Sequence, residues 1–320
     1  MSPESILRLT RKLFGILPVS CNAEFTIESN PGTVTSQWLS AAAEAGVNRL
    51  SLGMQAFQPE ILNVLGRIHT YEDVEKTVQM AREYGISNIN IDLIFGIPGQ
   101  TLDMWEETLE AALSLNPHHI SAYGLIPEEN TPLNDDLENG VLTLPDPDLE
   151  RMMYDKAIDM LSRRGLKQYE VSNFAKPGYE CRHNIGYWKQ IPYVGLGVSA
   201  ASMAILRSGT DGMICRRKTN PCSLSDYEKM VAEYLPPAED ELVTPTEARF
   251  ETMMLGLRMN EGIDEDYFEM LHGISVEEAF CRKLYRLEDN ELLVHSGRTW
   301  KLTRRGFDIQ NSILVELMDD

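Results

Sequence analysis

Asn88-Ile89-Asn90-Ile91-Asp92-Leu93-Ile94-Phe95-Gly96-Ile97-Pro98-Gly99-Gln100 reads as a β-strand over 88–95 closed by a tight turn. Gly and Pro punctuate the turn and end the extended run. Residues 102–114 then predict a helix, and His119 to Ile126 (HISAYGLI) a further strand. Strand, turn, helix and strand in that order make a βαβ unit, which calls for a parallel sheet.

The same alternation extends outward on both sides. Upstream, residues 3–16 read as a helix with Ser2 as N-cap and Pro3 as its first residue. Glu24 to Glu28 (EFTIE) is a strand, 35–45 a helix closed by Gly46, and Arg49 to Phe57 (RLSLGMQAF) a strand. Helices over 58–65 and 71–84 follow. Downstream, a Pro- and acid-rich excursion covers 127–148, a helix 148–164, and Gln168 to Asn173 is strand-like. Apolar strands of this kind predict a parallel sheet with helices on its faces, and their spacing of roughly 25 to 40 residues is that of a (β/α) barrel. A barrel does not begin with a helix, so one or more first strands are expected to precede Met1.

The pattern breaks down around 205–245. Beyond it, 246–260 (TEARFETMMLGLRMN) has the apolar spacing of an amphipathic helix. Two short helices follow, then a hairpin in which 292–295 and 299–303 flank Ser296-Gly297-Arg298. The fold class expected is therefore α/β: a partial (β/α) barrel lacking its first strands over 1–205, a connecting segment over 206–245, and a mainly helical, winged-helix-like domain over 246–320.

Composition narrows the function. The formal net charge of −20 opposes a general binder of nucleic acid or anionic membrane. No apolar run is long enough to span a bilayer. Cysteines stand at 21, 181, 215, 222 and 281, with no CxxC or CxxxCxxC spacing, so no local zinc or iron–sulfur site is legible. Scattered thiols suit a reducing compartment such as the cytoplasm. No hydrolase signature of the Gly-x-Ser-x-Gly or His-Glu-x-x-His kind occurs.

Functional groups in parallel α/β folds gather at the C-terminal strand ends. Here those ends carry Glu28, Gln55 and Asp92, with Arg67 one short helix beyond Gln55. Two carboxylates, an amide and a guanidinium suit a small ligand with hydroxyls, an amine and a carboxylate. Packing or ion pairing within the set is the alternative for each residue. A second candidate is His183-Asn184-Ile185-Gly186-Tyr187-Trp188, which sets an imidazole, an amide and two aromatic rings together. Histidine is a standard axial ligand of haem iron, and flat rings suit a porphyrin face. The alternative is a structural loop whose rings enter the core. Among the other histidines, His69 lies near the proposed mouth, His118 and His119 sit at a helix–strand junction, and His272 and His295 read as solvated. Cys181 is a second, weaker candidate for an iron ligand.

Seven segments in order, IESNPGT, GVNRLSLGMQAF, LGRIHT, NINIDLIFGIPGQT, HHISAYGLIPEENTP, QYEVSNFAKPG and HNIGYW, resemble the HemW branch of the radical S-adenosylmethionine superfamily, itself similar to oxygen-independent coproporphyrinogen III oxidase. The resemblance runs from near residue 2 to the C-terminus, and TEARFETMMLGLRMNEGI resembles the C-terminal domain of that family. It implies a partial radical-SAM barrel. Glu28, Gln55, Arg67 and Asp92 would contact S-adenosylmethionine, with Ile126 beside it from the last barrel strand. It implies a haem chaperone, with His183 as candidate axial ligand and Asn184, Tyr187 and Trp188 in the same site, which delivers haem to a recipient haem protein, respiratory by this reading. Homodimerisation and peripheral membrane contact are left open.

Two departures qualify the resemblance. The CxxxCxxC that holds a [4Fe–4S] cluster in that family, and its GGGTP turn, are missing from this sequence, where they would precede Met1. The chain as it stands is therefore expected not to cleave S-adenosylmethionine. In the stretch 195–202, Ala201 stands where that family commonly has a histidine in Pro-Gly-Ala-His-Ser. The alternatives to a haem chaperone are a coproporphyrinogen-type oxidoreductase and an inactive fragment.

Overall fold

A computed structural model describes residues 1–210 and 212–318. The chain divides into two compact units, Met1–Glu180 and Cys181–Asp320. The division falls ahead of the HNIGYW segment, where the sequence reading places it near residue 205.

The first unit holds α1 (Pro3–Ile16), β1 (Thr26–Ser29), α2 (Ser36–Glu44), β2 (Arg49–Gln55), α3 (Pro59–Val64), α4 (Tyr71–Glu83), β3 (Asn88–Phe95), α5 (Leu102–Ser114), β4 (His119–Gly124), α6 (Pro132–Glu138), α7 (Pro147–Arg163), β5 (Lys167–Gln168) and β6 (Asn173–Ala175). Local chemistry sets the helix starts. Ser2 Oγ accepts from the Ser5 N–H, and Thr70 with Asp73 forms a reciprocal capping box on α4. One six-stranded sheet runs β1-β2-β3-β4-β6-β5. The first four strands are parallel; β6 is antiparallel to β4, and β5 to β6. The sheet does not close on itself, as a partial barrel requires.

Its two faces differ in kind. Leu50, Leu52, Ile89, Ile91, Leu93, Ile120 and Phe174 project to one side and form a core with Leu39, Val78, Trp105, Leu109 and Ala157 of the helices. The alternate residues Arg49, Ser51, Asn90, His119, Ser121 and Asn173 are also buried, but on the other face. The helices that follow the strands pack against the apolar face. The opposite face is polar and lines the lumen of the open barrel.

The second unit holds α8 (Arg182–Trp188), β7 (Ala201–Arg207), β8 (Ile214–Thr219), α9 (Leu224–Glu233), β9 (Glu239–Val243), α10 (Pro245–Gly256), β10 (Ile263–Asp264), α11 (Glu265–His272), α12 (Val276–Asp289), β11 (Leu293–Ser296), β12 (Thr299–Leu302), α13 (Arg304–Asp308) and α14 (Gln310–Met318). The expected hairpin is β11–β12, joined by β10 into a sheet of order β10-β12-β11. Met253, Phe268, Phe280, Leu284, Trp300 and Ile313 fill the core between this sheet and the helices. The stretch in which the sequence pattern breaks down is an antiparallel sheet, β7-β8-β9. Its charged run pairs across strands: Arg216 makes a two-pronged contact with Asp240, both distances 2.6 Å, and Arg217 faces Glu241.

Candidate functional site

Strand register assembles the first group of residues. Glu28 lies opposite Ser51, Ser51 opposite Asn90, and Asn90 opposite His119; one step further, Gly53 lies opposite Asp92 and Asp92 opposite Ser121. All of these positions face the lumen. The Asp92 carboxylate accepts from Ser51 Oγ at 2.8 Å on one oxygen and from Asn90 Nδ2 at 2.8 Å on the other. Each oxygen keeps a further acceptor site.

Gln55 ends β2 in a left-handed conformation, φ 64°, at a register shift between Gly53 and Gln55. That conformation is uncommon outside glycine. Its consequence is that the Gln55 amide lies back over Gly53, so close that a Cβ there would stand 2.7 Å from Nε2. Asn30 Oδ1 borders the same position at 3.7 Å and accepts from Arg67 Nη1 at 3.2 Å. Gln55 and Asn30 therefore meet over Gly53, beside Asp92, and Arg67 reaches the group through Asn30. Glu28 is exposed on the lumen face of β1, and Ile126, 82% exposed, follows the end of β4.

Several lumen residues escaped the sequence reading: Asn30, Ser51, Asn90, Tyr123 and Asn173, together with a lumen role for His119. For those within strands the signal was the period-two placement of polar side chains in runs that read as apolar; Asn30, just past β1, carried no such signal. His119 is fully buried, with Nδ1 2.6 Å from Asn90 Oδ1 and Nε2 2.9 Å from the Tyr169 hydroxyl. Burial, reinforced by the Arg49 guanidinium, pushes its pKa well below the usual histidine value and keeps it neutral. Burial raises the Tyr123 phenol, and the charges of Asp92 and Glu170 raise it further. Asn173 is 2% exposed and its Oδ1 has no hydrogen-bond partner. His69 is buried with Nε2 3.0 Å from the Met54 carbonyl oxygen, so it holds backbone rather than facing the mouth.

The second group lies on α8, a helix where the plain alternative was a loop. Cys181 takes the N-cap position without a side-chain cap bond and is buried. His183 is exposed on the first turn. Tyr187, one turn on, meets the His183 ring edge-on at 4.5 Å and the Tyr193 ring at 4.7 Å. Tyr187 is 40% exposed, and partial burial raises its phenol pKa. Asn184 and Trp188 form the other one-turn pair. Arg258 stands over the Trp188 ring at 5.6 Å, and Trp188 lines a cavity of about 370 Å³ with Met259, Ile263 and Tyr267. The motif thus divides between an exposed His–Tyr face and a packed Trp face.

Two further histidines correct the sequence reading. His272 is 1% exposed, with Nε2 2.9 Å from Thr252 Oγ1. His295 is half-buried and stacks on Trp300, ring centroids 4.2 Å apart and planes 3° from parallel. His272 is shut off from solvent, and His295 is only partly exposed.

The chain is similar to known proteins. A model of the radical SAM superfamily matches residues 3–112, and one of the HemN C-terminal domain matches 243–309. The chain is 36% identical over 315 residues to the heme chaperone HemW of Bacillus subtilis (strain 168), covering 98% of this chain and 81% of that protein. To the heme chaperone HemW of Escherichia coli (strain K12) it is 33% identical over 305 residues, covering 93% and 75%. The solved coproporphyrinogen III oxidase (HemN) from Escherichia coli, a radical SAM enzyme, superposes with a TM-score of 0.79 at 22% identity, covering 99% of this chain and 74% of that one. That last likeness is one of fold.

Proposed function

Because the chain belongs to the HemW family of haem chaperones, we propose that it binds haem as cargo through His183 and passes it to a recipient haem protein, respiratory by this reading. The observation that carries this is the exposed face of α8. His183 stands at the surface with the Tyr187 ring edge-on to it, and Tyr187 meets the Tyr193 ring in turn, so an imidazole and aromatic ring surface lie together on one side. Asn184 and Trp188 shape the other side of the same helix. Haem titration followed by absorbance tests the proposal. The expected result is a saturating Soret shift in the wild-type chain that is lost in His183→Ala. An identical spectrum in both proteins overturns the role of His183.

The lumen residues support a second part of the same proposal, an S-adenosylmethionine site made by Glu28, Gln55, Arg67, Asp92 and Ile126. When bound, that molecule brings ribose hydroxyls, an ammonium, a carboxylate and a sulfonium. Carboxylates at Asp92 and Glu28, the Gln55 amide and the Arg67 guanidinium match those groups in charge and hydrogen-bonding sense. A [4Fe–4S] cluster does not fit the residues present. The sequence has no CxxxCxxC, and among the described residues no group of three or more His, Cys, Asp and Glu side chains is placed to hold a metal ion. Among the described residues no helix is long and apolar enough to cross a membrane.

A further inference from the structure

We infer that His119 is a positioning residue for Asp92, acting through the side-chain amide of Asn90. The inference rests on reading Asp92 as a contact to S-adenosylmethionine.

Hydrogen-bond polarity fixes every member of the chain. Asp92 is a carboxylate and only accepts, so the Asn90 atom 2.8 Å from it is the amide nitrogen. The same nitrogen donates to Ser51 Oγ at 2.7 Å, and Ser51 donates its own proton to the second Asp92 oxygen. The Asn90 oxygen consequently points the other way, where His119 Nδ1 stands at 2.6 Å. An amide oxygen only accepts, so Nδ1 carries the proton. His119 Nε2 then has a lone pair and accepts from the Tyr169 hydroxyl at 2.9 Å. Ser121 Oγ adds a longer bond to the Asn90 oxygen at 3.3 Å.

A turned Asn90 amide would set two acceptors, its own oxygen and the Asp92 carboxylate, against each other in a buried site. His119 prevents this by occupying the oxygen side with a donor. His119 reaches Asp92 only through the Asn90 amide, so its effect is on how rigidly that carboxylate is presented.

Three variants of the full chain separate this role from simple packing. His119→Asn keeps a donor near the place of Nδ1. His119→Leu removes both nitrogens. His119→Gln keeps a polar side chain but sets its amide near the place of Nε2, and it stands in if the leucine variant fails to fold. The first readout needs no ligand. Imidazole nitrogen spectra are expected to show His119 in the neutral Nδ1–H form between pH 5 and 8, and the Asn90 amide protons are expected to exchange slowly in wild type and His119→Asn but fast in His119→Leu and His119→Gln. An Nε2–H form, or equal Asn90 exchange in all four proteins, overturns the inference. The second readout is S-adenosylmethionine affinity by calorimetry. His119→Leu and His119→Gln are expected to weaken it about tenfold, the scale of one buried hydrogen bond, with His119→Asn within about twofold of wild type. Equal affinity in wild type and His119→Leu overturns the inference as well. Absence of binding to the wild-type chain overturns the reading of the ligand site, and the ligand-free spectra still decide the role of His119.

Discussion

Gly53 and Gln55 share one volume: the amide of Gln55 lies where a side chain on Gly53 would begin, 2.7 Å from the ideal Cβ position. The atom in the way is the far end of a flexible side chain, so an added methyl displaces the amide rather than the backbone. Gly53→Ala is expected to leave the thermal unfolding midpoint nearly unchanged and to weaken S-adenosylmethionine binding by about tenfold, the equivalent of one lost polar contact near 1.4 kcal/mol. Calorimetric titration beside a thermal melt checks both halves. A large drop in the midpoint with unchanged affinity is the contrary result.

Ser51 and Leu52 are neighbours in β2 that face opposite ways. Leu52 is buried in the core beneath the helices, so Leu52→Ala is expected to cost about 2–5 kcal/mol in urea unfolding. Ser51 donates to Asp92 and accepts from Asn90. Ser51→Ala is expected to cost only about 1–2 kcal/mol in stability, while reducing ligand affinity more than Leu52→Ala does at temperatures where both remain folded. Unfolding and binding measured on the same two proteins test whether the faces separate fold from site.

On α8 the Tyr187 ring bridges His183 and Tyr193. Tyr187→Phe keeps both edge contacts and is expected to bind haem as wild type does. Tyr187→Ala removes both, each worth about 0.5–1.5 kcal/mol, and is expected to lower haem affinity by roughly tenfold. Absorbance titration of the pair distinguishes a ring that orients the imidazole from one that merely packs.

His272 predicts a pH dependence. Burial, with a smaller contribution from the Arg249 charge, lowers its pKa from 6.5 to about 4 in the folded state. The unfolded chain therefore binds the proton more readily between those values. The stability that neutral His272 contributes is complete above about pH 6.5 and is lost as the pH falls toward 4, on the order of 3 kcal/mol in total. His272→Gln keeps an amide near Thr252 and does not titrate. The difference in unfolding free energy between the two proteins is expected to narrow steadily from pH 7 to pH 4; a constant difference contradicts the assignment.

The four parallel strands, the helices between them and the β11–β12 hairpin were legible in the sequence, because Gly and Pro mark their ends and apolar runs mark their bodies. The polar lumen was not. NINIDLIF reads as an apolar strand until Asn88, Asn90 and Asp92 are seen to occupy every second position. The sheet β7-β8-β9 was hidden for another reason: Arg216, Arg217 and Lys218 on β8 and Glu239, Asp240 and Glu241 on β9 look like loop sequence singly and pair only once the strands meet. Glu28, Gln55, Arg67 and Asp92 were found from strand-end logic. Asn30 and His119 were not, because each belongs to the group only through a partner distant in sequence.

The polar lumen face also bears on how a charged ligand is received. Ser51, Asn90, Ser121 and His119 already satisfy one another around Asp92, so the dipoles near that carboxylate are fixed before any ligand arrives. A ligand entering such a place trades mobile water for oriented groups that need not turn to meet it. The wall behaves as a frozen solvent shell, and the reorganisation that bulk water would require at binding has been completed during folding.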